Sequence, residues 1–225
     1  MSKRKEHARL TRLAIIEAAQ RLFTAQGYAG TSIKAIAVEA DASEQTVYRV
    51  FGDKAALLRA VVLTAVGGED NQQPLRDSPL LTDLAGLETP SRRLEAVARL
   101  IRQGYERGLA ELENVVAAAA PTDERVAELA RFMDEQRYED IRSIVVTILG
   151  DTSLPSEFPV ADIVDYVYAT ESSPVYTMLT SERGWTTGQY VEWFVRMFQQ
   201  MFLTPTNPST TAAGVHRPGG NHSDA

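Results

Sequence analysis

Cysteine is absent from this chain of 225 residues, which removes disulfides, thiolate metal sites and cysteine nucleophiles from the chemistry open to it. Histidine is scarce: His7, His216 and His222 all fall close to the chain ends. A packed active site that uses imidazole as base or metal ligand therefore has no candidate. Carboxylates are plentiful, but no spacing pairs them into an acid–base couple, and neither a cofactor nor a metal is implied. No apolar run reaches the roughly 18 residues of a membrane-spanning helix. The basic start "MSKRKEHARLTR" has no apolar core and cleavage site behind it, so it does not read as a secretory signal. A cytoplasmic protein with no membrane partner is the expectation.

What is present is an ordinary globular composition, 44% hydrophobic and 24% charged, long enough for a small domain followed by a larger one. Charge is split along the chain. Residues 1–64 hold ten Lys+Arg against six Asp+Glu, a balance of +4, and the remainder holds thirteen against twenty-four, a balance of −11. All four lysines, Lys3, Lys5, Lys34 and Lys54, lie in the first segment. A basic head on an acidic body points to a polyanion that meets the head alone.

The head reads as short helices. Ile15, Ile16, Ala19, Leu22 and Phe23 form one apolar stripe, and Gly27 follows where a helix commonly ends in a left-handed residue. Thr31–Ser32 offers an N-cap for a second helix that buries Ile33, Ile36, Ala37 and Ala40. Asp41–Ala42 makes a tight turn, and Ser43 caps a third helix anchored by Val47 and Phe51. Asp53 caps a fourth, with Leu57, Leu58, Val61 and Val62 as its stripe. Two short helices joined by a tight turn and packed on a longer one describe a helix-turn-helix. Helix N-termini bind phosphates through free N–H groups and the helix dipole, so such a unit needs few basic side chains. Ser32, Ser43 and Asp53 mark three such ends, and Lys54 stands in a first turn, where only a nearby anion would make its charge welcome.

The stretch "LAIIEAAQRLFTAQGYAGTSIKAIAVEADASEQTVYRVFGDKAALL" resembles the DNA-binding domain of TetR-type transcriptional regulators. The matching marks are Ala-Ala-x-x-Leu-Phe in helix one, Gly27–Tyr28, Thr31–Ser32, Ile36–Ala37, and Val47–Tyr48–x–x–Phe51 followed by Lys54 and Leu57–Leu58. The turn departs from the family in carrying Asp41 where glycine is usual. The resemblance implies that the third helix enters the major groove, with Glu44, Gln45 and Thr46 at its leading end as base readers. It also implies Tyr48 and Lys54 as backbone contacts, with phosphate contacts from Thr31, Ser32, Lys34 and the Ser43 helix end. Arg49 suits either a base or a phosphate. Plainer readings stand beside these: Tyr48 packed on helix one, Lys54 a solvated lysine, Glu44 merely exposed, and Lys3–Arg4–Lys5 a soluble tail or a minor-groove arm.

The body reads as helices throughout, so the fold class is all-α: an N-terminal three-helix helix-turn-helix domain (1–66), then a helical-bundle ligand-binding and dimerisation domain (67–204). Residues 67–89 read as a flexible join with at most one helical turn, and 205–225 as a disordered tail. Leu94, Val97, Ile101 and Tyr105 make one stripe. A long helix after Thr122 carries Val126, Leu129, Met133, Ile141, Ile144 and Ile148, interrupted by Gln136, Arg137 and Asp140. Polar groups on a core face are costly unless paired. The resemblance places an effector cavity beside this helix, making Tyr105, Met133, Gln136, Arg137 and Asp140 the candidate ligand residues; a local rotation into solvent is the duller reading. Pro174 must begin a new helical segment or kink one. The last helix is apolar on two sides, which calls for a symmetry mate. Val175, Met178, Leu179, Tyr190, Phe194, Met197, Phe198 and Met201 are the candidate dimer contacts, and "SERGWTTGQYVEWF" resembles the family's last-helix region. The functional expectation is a homodimeric repressor that reads a pseudo-palindromic duplex and is released by a small-molecule effector. A ligand-independent DNA binder, or an all-helical enzyme or scaffold, is the alternative.

Overall fold

In the computed structural model, residues 3–68, 75–150 and 158–204 are described. The tail expected at 205–225 and part of the expected join, 69–74, lie outside them. Among the described residues there are helices and no strand.

Four helices form the head: α1 (Lys3–Gly30), α2 (Ile33–Glu39), α3 (Glu44–Phe51) and α4 (Lys54–Gly67). Their boundaries follow from side-chain caps. Gly27, at φ 72°, breaks α1 before its last residues. Ser32 accepts from Ala35 N–H at 3.1 Å, Ser43 from Thr46 N–H at 3.1 Å, and Asp53 from Ala56 N–H at 2.9 Å. Caps of this kind are each worth about 1 kcal/mol.

The α2–α3 turn closes through Ala42 N–H to Ala37 C=O at 2.9 Å, and Asp41 sits in the left-handed region at φ 49°. Asp41→Ala is expected to destabilise the protein by about 1 kcal/mol, because alanine has no short polar side chain to ease that conformation. Asp41→Gly should fall within about 0.5 kcal/mol of the wild type, since relieved strain is offset by a more flexible unfolded chain. Urea denaturation of both variants tests this; equal stability would show that the turn carries no strain.

The body comprises a 3₁₀ turn (Leu75–Asp77) and α5 (Pro79–Ala85), α6 (Pro90–Glu106), α7 (Leu109–Ala119), α8 (Glu124–Leu149), α9 (Val160–Thr170), α10 (Ser173–Thr177) and α11 (Thr187–Phe198). Wide π turns follow α10 (Met178–Glu182) and α11 (Gln199–Leu203). Residues 75–89 of the join thus hold more helix than the single turn expected of them. Arg93 explains part of this: its guanidinium donates to Leu87 O at 2.8 Å, Ala85 O at 3.4 Å and Thr147 O at 3.2 Å, tying α5 to α8. The long helix starts one residue later than Thr122 suggested. Asp123 is its cap, accepting from Arg125 N–H at 3.0 Å and Val126 N–H at 3.2 Å. Pro174 sits in the first turn of α10, where its missing N–H costs nothing.

One hydrophobic core runs from the head into the body. Ile15, Phe23, Ile36, Leu57 and Val61 pack with Leu112, Val116, Val126 and Leu129 in a single cluster. A second core joins α5, α6, α8, α9 and α11 through Leu84, Leu94, Ile141, Ile148, Ile163, Phe194 and Phe198. A smaller one holds Tyr105, Ala110, Tyr190 and Val191.

Candidate functional site

Val47 turns inward from α3 at 1% exposure, which fixes the opposite face outward. Glu44, Gln45 and Arg49 are exposed, and Tyr48 is 50% exposed. A tyrosine that covered helix one would not leave half its surface in solvent. Ser32 and Lys34 are also exposed, so the N-terminal ends of α2 and α3 are open to a ligand. Thr46 is half-buried, and its hydroxyl shares a 2.9 Å hydrogen bond with Ser43 Oγ. It braces the cap first and is poorly free to read a base.

Two expected contacts are placed otherwise. Thr31 is 1% exposed, and its hydroxyl donates to Gly27 O at 2.8 Å and Leu22 O at 3.1 Å. It is spent on carbonyls of α1 around the Gly27 break and is closed to solvent. Lys54 Nζ donates to Tyr28 O at 2.9 Å and Thr31 O at 3.1 Å, and lies 4.1 Å from the centre of the Tyr28 ring. Its charge therefore binds the α1–α2 link. Burial lowers its pKa, partly countered by Asp123. Burial, together with the carboxylates of Asp123 and Asp53, pushes the Tyr28 hydroxyl up to about 12, so it stays protonated.

Two further arginines link head and body. Arg107, just after α6, donates to Ala65 O at 2.8 Å and Val66 O at 3.0 Å, placing a cation on the C-terminal carbonyls of α4. Gln20 of α1 donates in turn to Arg107 O at 2.6 Å. Arg125 of α8 pairs with Asp53, the cap of α4. The one available signal was an arginine beside Gly108 at a helix end, which does not name its partner.

The candidate ligand residues divide. Asp140 accepts from Leu75 N–H at 3.2 Å and Arg76 N–H at 3.1 Å, and pairs with the Arg76 guanidinium at 3.3 Å. Gln136 Oε1 accepts from Arg76 at 2.6 Å. The polar interruption of α8 is thus paired within the chain and holds the join. Burial raises the Asp140 pKa, against the hydrogen bonds and charge of the join. Met133 packs beside the head–body core. Arg137 donates to Tyr168 O at 2.7 Å and to Glu171 O, with its guanidinium over the Tyr168 ring. Tyr105 reaches Glu171 from α6. The five do not surround one cavity.

Among the dimer candidates, Tyr190 and Phe198 are 0% exposed and Phe194 2%. They are filled from within the chain and offer no surface to a partner. Met178 is 45% exposed, while Val175, Leu179, Met197 and Met201 are half-buried. An open groove of about 400 Å³ runs between α6 and α11, lined by Glu95, Ala98, Arg99, Val191, Glu192, Val195, Arg196 and Gln199.

The head geometry agrees with one sequence match. Residues 15–61 match the family described as bacterial regulatory proteins, tetR family. The match covers the head alone, from α1 into α4. No curated protein matches the chain. Solved structures of similar fold include NalD, the secondary repressor of the MexAB-OprM multidrug efflux pump in Pseudomonas aeruginosa, at 18% identity and TM-score 0.58, covering 86% of this chain and 95% of that one. Another is the transcriptional regulator FadR from Bacillus subtilis in complex with stearoyl-CoA, at 15% identity and TM-score 0.57, covering 82% and 96%. At these identities the likeness is one of fold. Among the described residues no helix is long and apolar enough to cross a membrane, and no cluster of potential metal ligands occurs.

Proposed function

We propose that the chain acts as a homodimeric repressor that grips a pseudo-palindromic operator through α3 and lets go when a small molecule binds the body. The head is taken as 1–66 and the regulatory unit as 67–204. The observation that carries the reading is the outward face of α3, where Gln45, Tyr48 and Arg49 stand exposed beside two capped helix ends. Gln45 suits adenine and Glu44 suits cytosine N4 in the major groove. Ser32, Lys34 and Tyr48 are the backbone contacts in this reading. A dimer would bring two copies of α3 about 34–36 Å apart or a multiple of it. The partner face is the outer side of α11, with Met178 just after α10 on one flank and the Glu95–Arg99–Glu192–Arg196 groove toward α6 on the other. Mixed charges there can meet their opposites across a two-fold axis. FadR is a regulator whose structure holds a small ligand, which supports an effector here.

Fluorescence anisotropy on duplexes from upstream of the chain's own coding region tests the docking. Tyr48→Ala is expected to weaken binding about tenfold on every duplex, and Gln45→Ala to change sequence preference by a comparable factor. Binding should fall steeply with salt. Full affinity in both variants would sink the docking, and a monomer in sedimentation with intact operator binding would sink the dimer.

A further inference from the structure

The helix-turn-helix itself is electrically balanced. Residues 13–64 hold five Lys+Arg against five Asp+Glu, whereas residues 1–12 hold five against one. The whole +4 of the head therefore lies in its first twelve positions. Most cations of the balanced part are also engaged inside the protein. Lys54 is spent on Tyr28 O and Thr31 O, Arg21 pairs with Glu39 at 3.0 Å, and Arg59 lies over the Phe132 ring at 4.0 Å. Lys34 and Arg49 remain exposed. Two cations release few counterions from DNA, and that release drives much of a protein's affinity for it.

From Lys3 onward the basic start is part of α1, a helix continuous to the Gly27 break. Lys3, Arg4 and Lys5 open that helix, with Glu6 the acid of its first turn. Cations there oppose the helix dipole, so helix stability does not account for them. At about 100° per residue, Arg4, Lys5, Ala8 and Arg12 fall within an arc of about 100°, and Glu6 lies outside it. Glu6 is held by Arg9 at 2.9 Å. Arg4, Lys5 and Ala8 are exposed, and among the described residues neither Arg4 nor Lys5 takes part in an ion pair. Arg12 fixes where the arc faces. Its guanidinium lies 4.7 Å from the centre of the Phe51 ring, at the end of α3. The axis of α1 fixes where the arc leads. Gln20 meets the body at Arg107 O, Arg12 meets α3 two turns earlier, and the helix runs on past Arg12 for roughly 13 Å. The basic stripe thus starts beside the reading helix and extends away from the body.

We propose that the first three turns of α1 form a rigid basic spur that grips the phosphate backbone of the duplex read by α3. This spur supplies most of the electrostatic attraction between the chain and DNA. The proposal rests on the docking of α3 and adds a second contact surface to it. A helix with its side chains is about 10–12 Å across, and the minor groove of B-DNA is about 6 Å wide. The spur therefore lies along phosphates and does not enter the groove as an extended arm would. Contacts of that kind position a protein without reading sequence. Ala8, between Arg4 and Arg12 on the stripe, leaves the helix room to approach the backbone.

The test is fluorescence anisotropy on the full chain across a salt series. Arg4→Gln/Lys5→Gln should bind every duplex about tenfold more weakly, and the slope of log affinity against log salt should fall by about 2. Ala8→Glu keeps a good helix former and sets a carboxylate mid-stripe, so it should weaken binding to a similar degree. Ala8→Arg should strengthen binding several-fold. Circular dichroism and Tm should match the wild type in all three. Exchanging A·T for G·C pairs in the DNA flanking the base-read positions should change wild-type affinity less than twofold. An unchanged salt slope in the double variant, no gain from Ala8→Arg, or a strong dependence on flanking A·T pairs would each overturn the spur. A wild type that binds no duplex loses the docking of α3 as well. If Gln45→Ala changes sequence preference while the double variant keeps the full salt slope, the spur alone is lost.

Discussion

Lys54→Ala should lower the stability of the protein by about 2–3 kcal/mol, or roughly 5–10 °C in Tm for a chain of this size. The change strips charged donors from Tyr28 O and Thr31 O and removes a cation from the Tyr28 ring. Those carbonyls belong to the link that sets the angle between α1 and α2, so loss of DNA binding should track loss of structure. Denaturation and operator titration on the same variant separate the roles. A stable Lys54→Ala protein with weakened, less salt-dependent DNA binding would return the lysine to the phosphate backbone. Lys54→Arg should recover only part of the stability, because a planar fork does not fit two carbonyls set for a point charge.

Glu171→Gln should make the protein more stable at pH 7.5 than the wild type, by about 2–4 kcal/mol at most. The folded-state pKa of about 7 stands above the ordinary 4.5. Below pH 4.5 the carboxyl is protonated in both states and contributes no difference. As pH rises to 7 the unfolded chain releases its proton first, so the wild type loses stability across that window and no further above it. The glutamine variant does not titrate, so the gap between the two melting temperatures should open between pH 4.5 and 7. A constant gap would mean that Glu171 ionises normally in the folded protein, with the Arg137 charge outweighing burial. The glutamine keeps an oxygen for the Tyr105 hydroxyl, so little packing is disturbed.

Local signals in the sequence were legible because they are local in physics. Ser32, Ser43 and Asp53 cap helices through hydrogen bonds spanning three residues, and the stripes of α1 and α4 are visible as periodicity. The exposure of Gln45 and Tyr48 follows from the same stripes once Val47 is known to point inward. What escaped was partnership across the chain. Thr31 and Lys54 are residue types that suit phosphate, and only the fold reveals that carbonyls at the Gly27 break claim them first. Gln136 and Asp140 stand out as misfits on α8, yet their partner Arg76 lies 60 or more positions away in a segment whose composition reads as loop. The last helix showed two apolar sides, and no pattern tells which of them the rest of the same chain covers. Phe194 and Phe198 belong to that covered side.

Tyr105 and Arg107 are two residues apart at the end of α6. One touches Glu171, and the other grips the final carbonyls of α4. Along a helix that separation is about 3 Å of rise and little more than half a turn. A single short lever thus joins the middle of the body to the carbonyl end of α4, and a shift of either residue must be shared by the other.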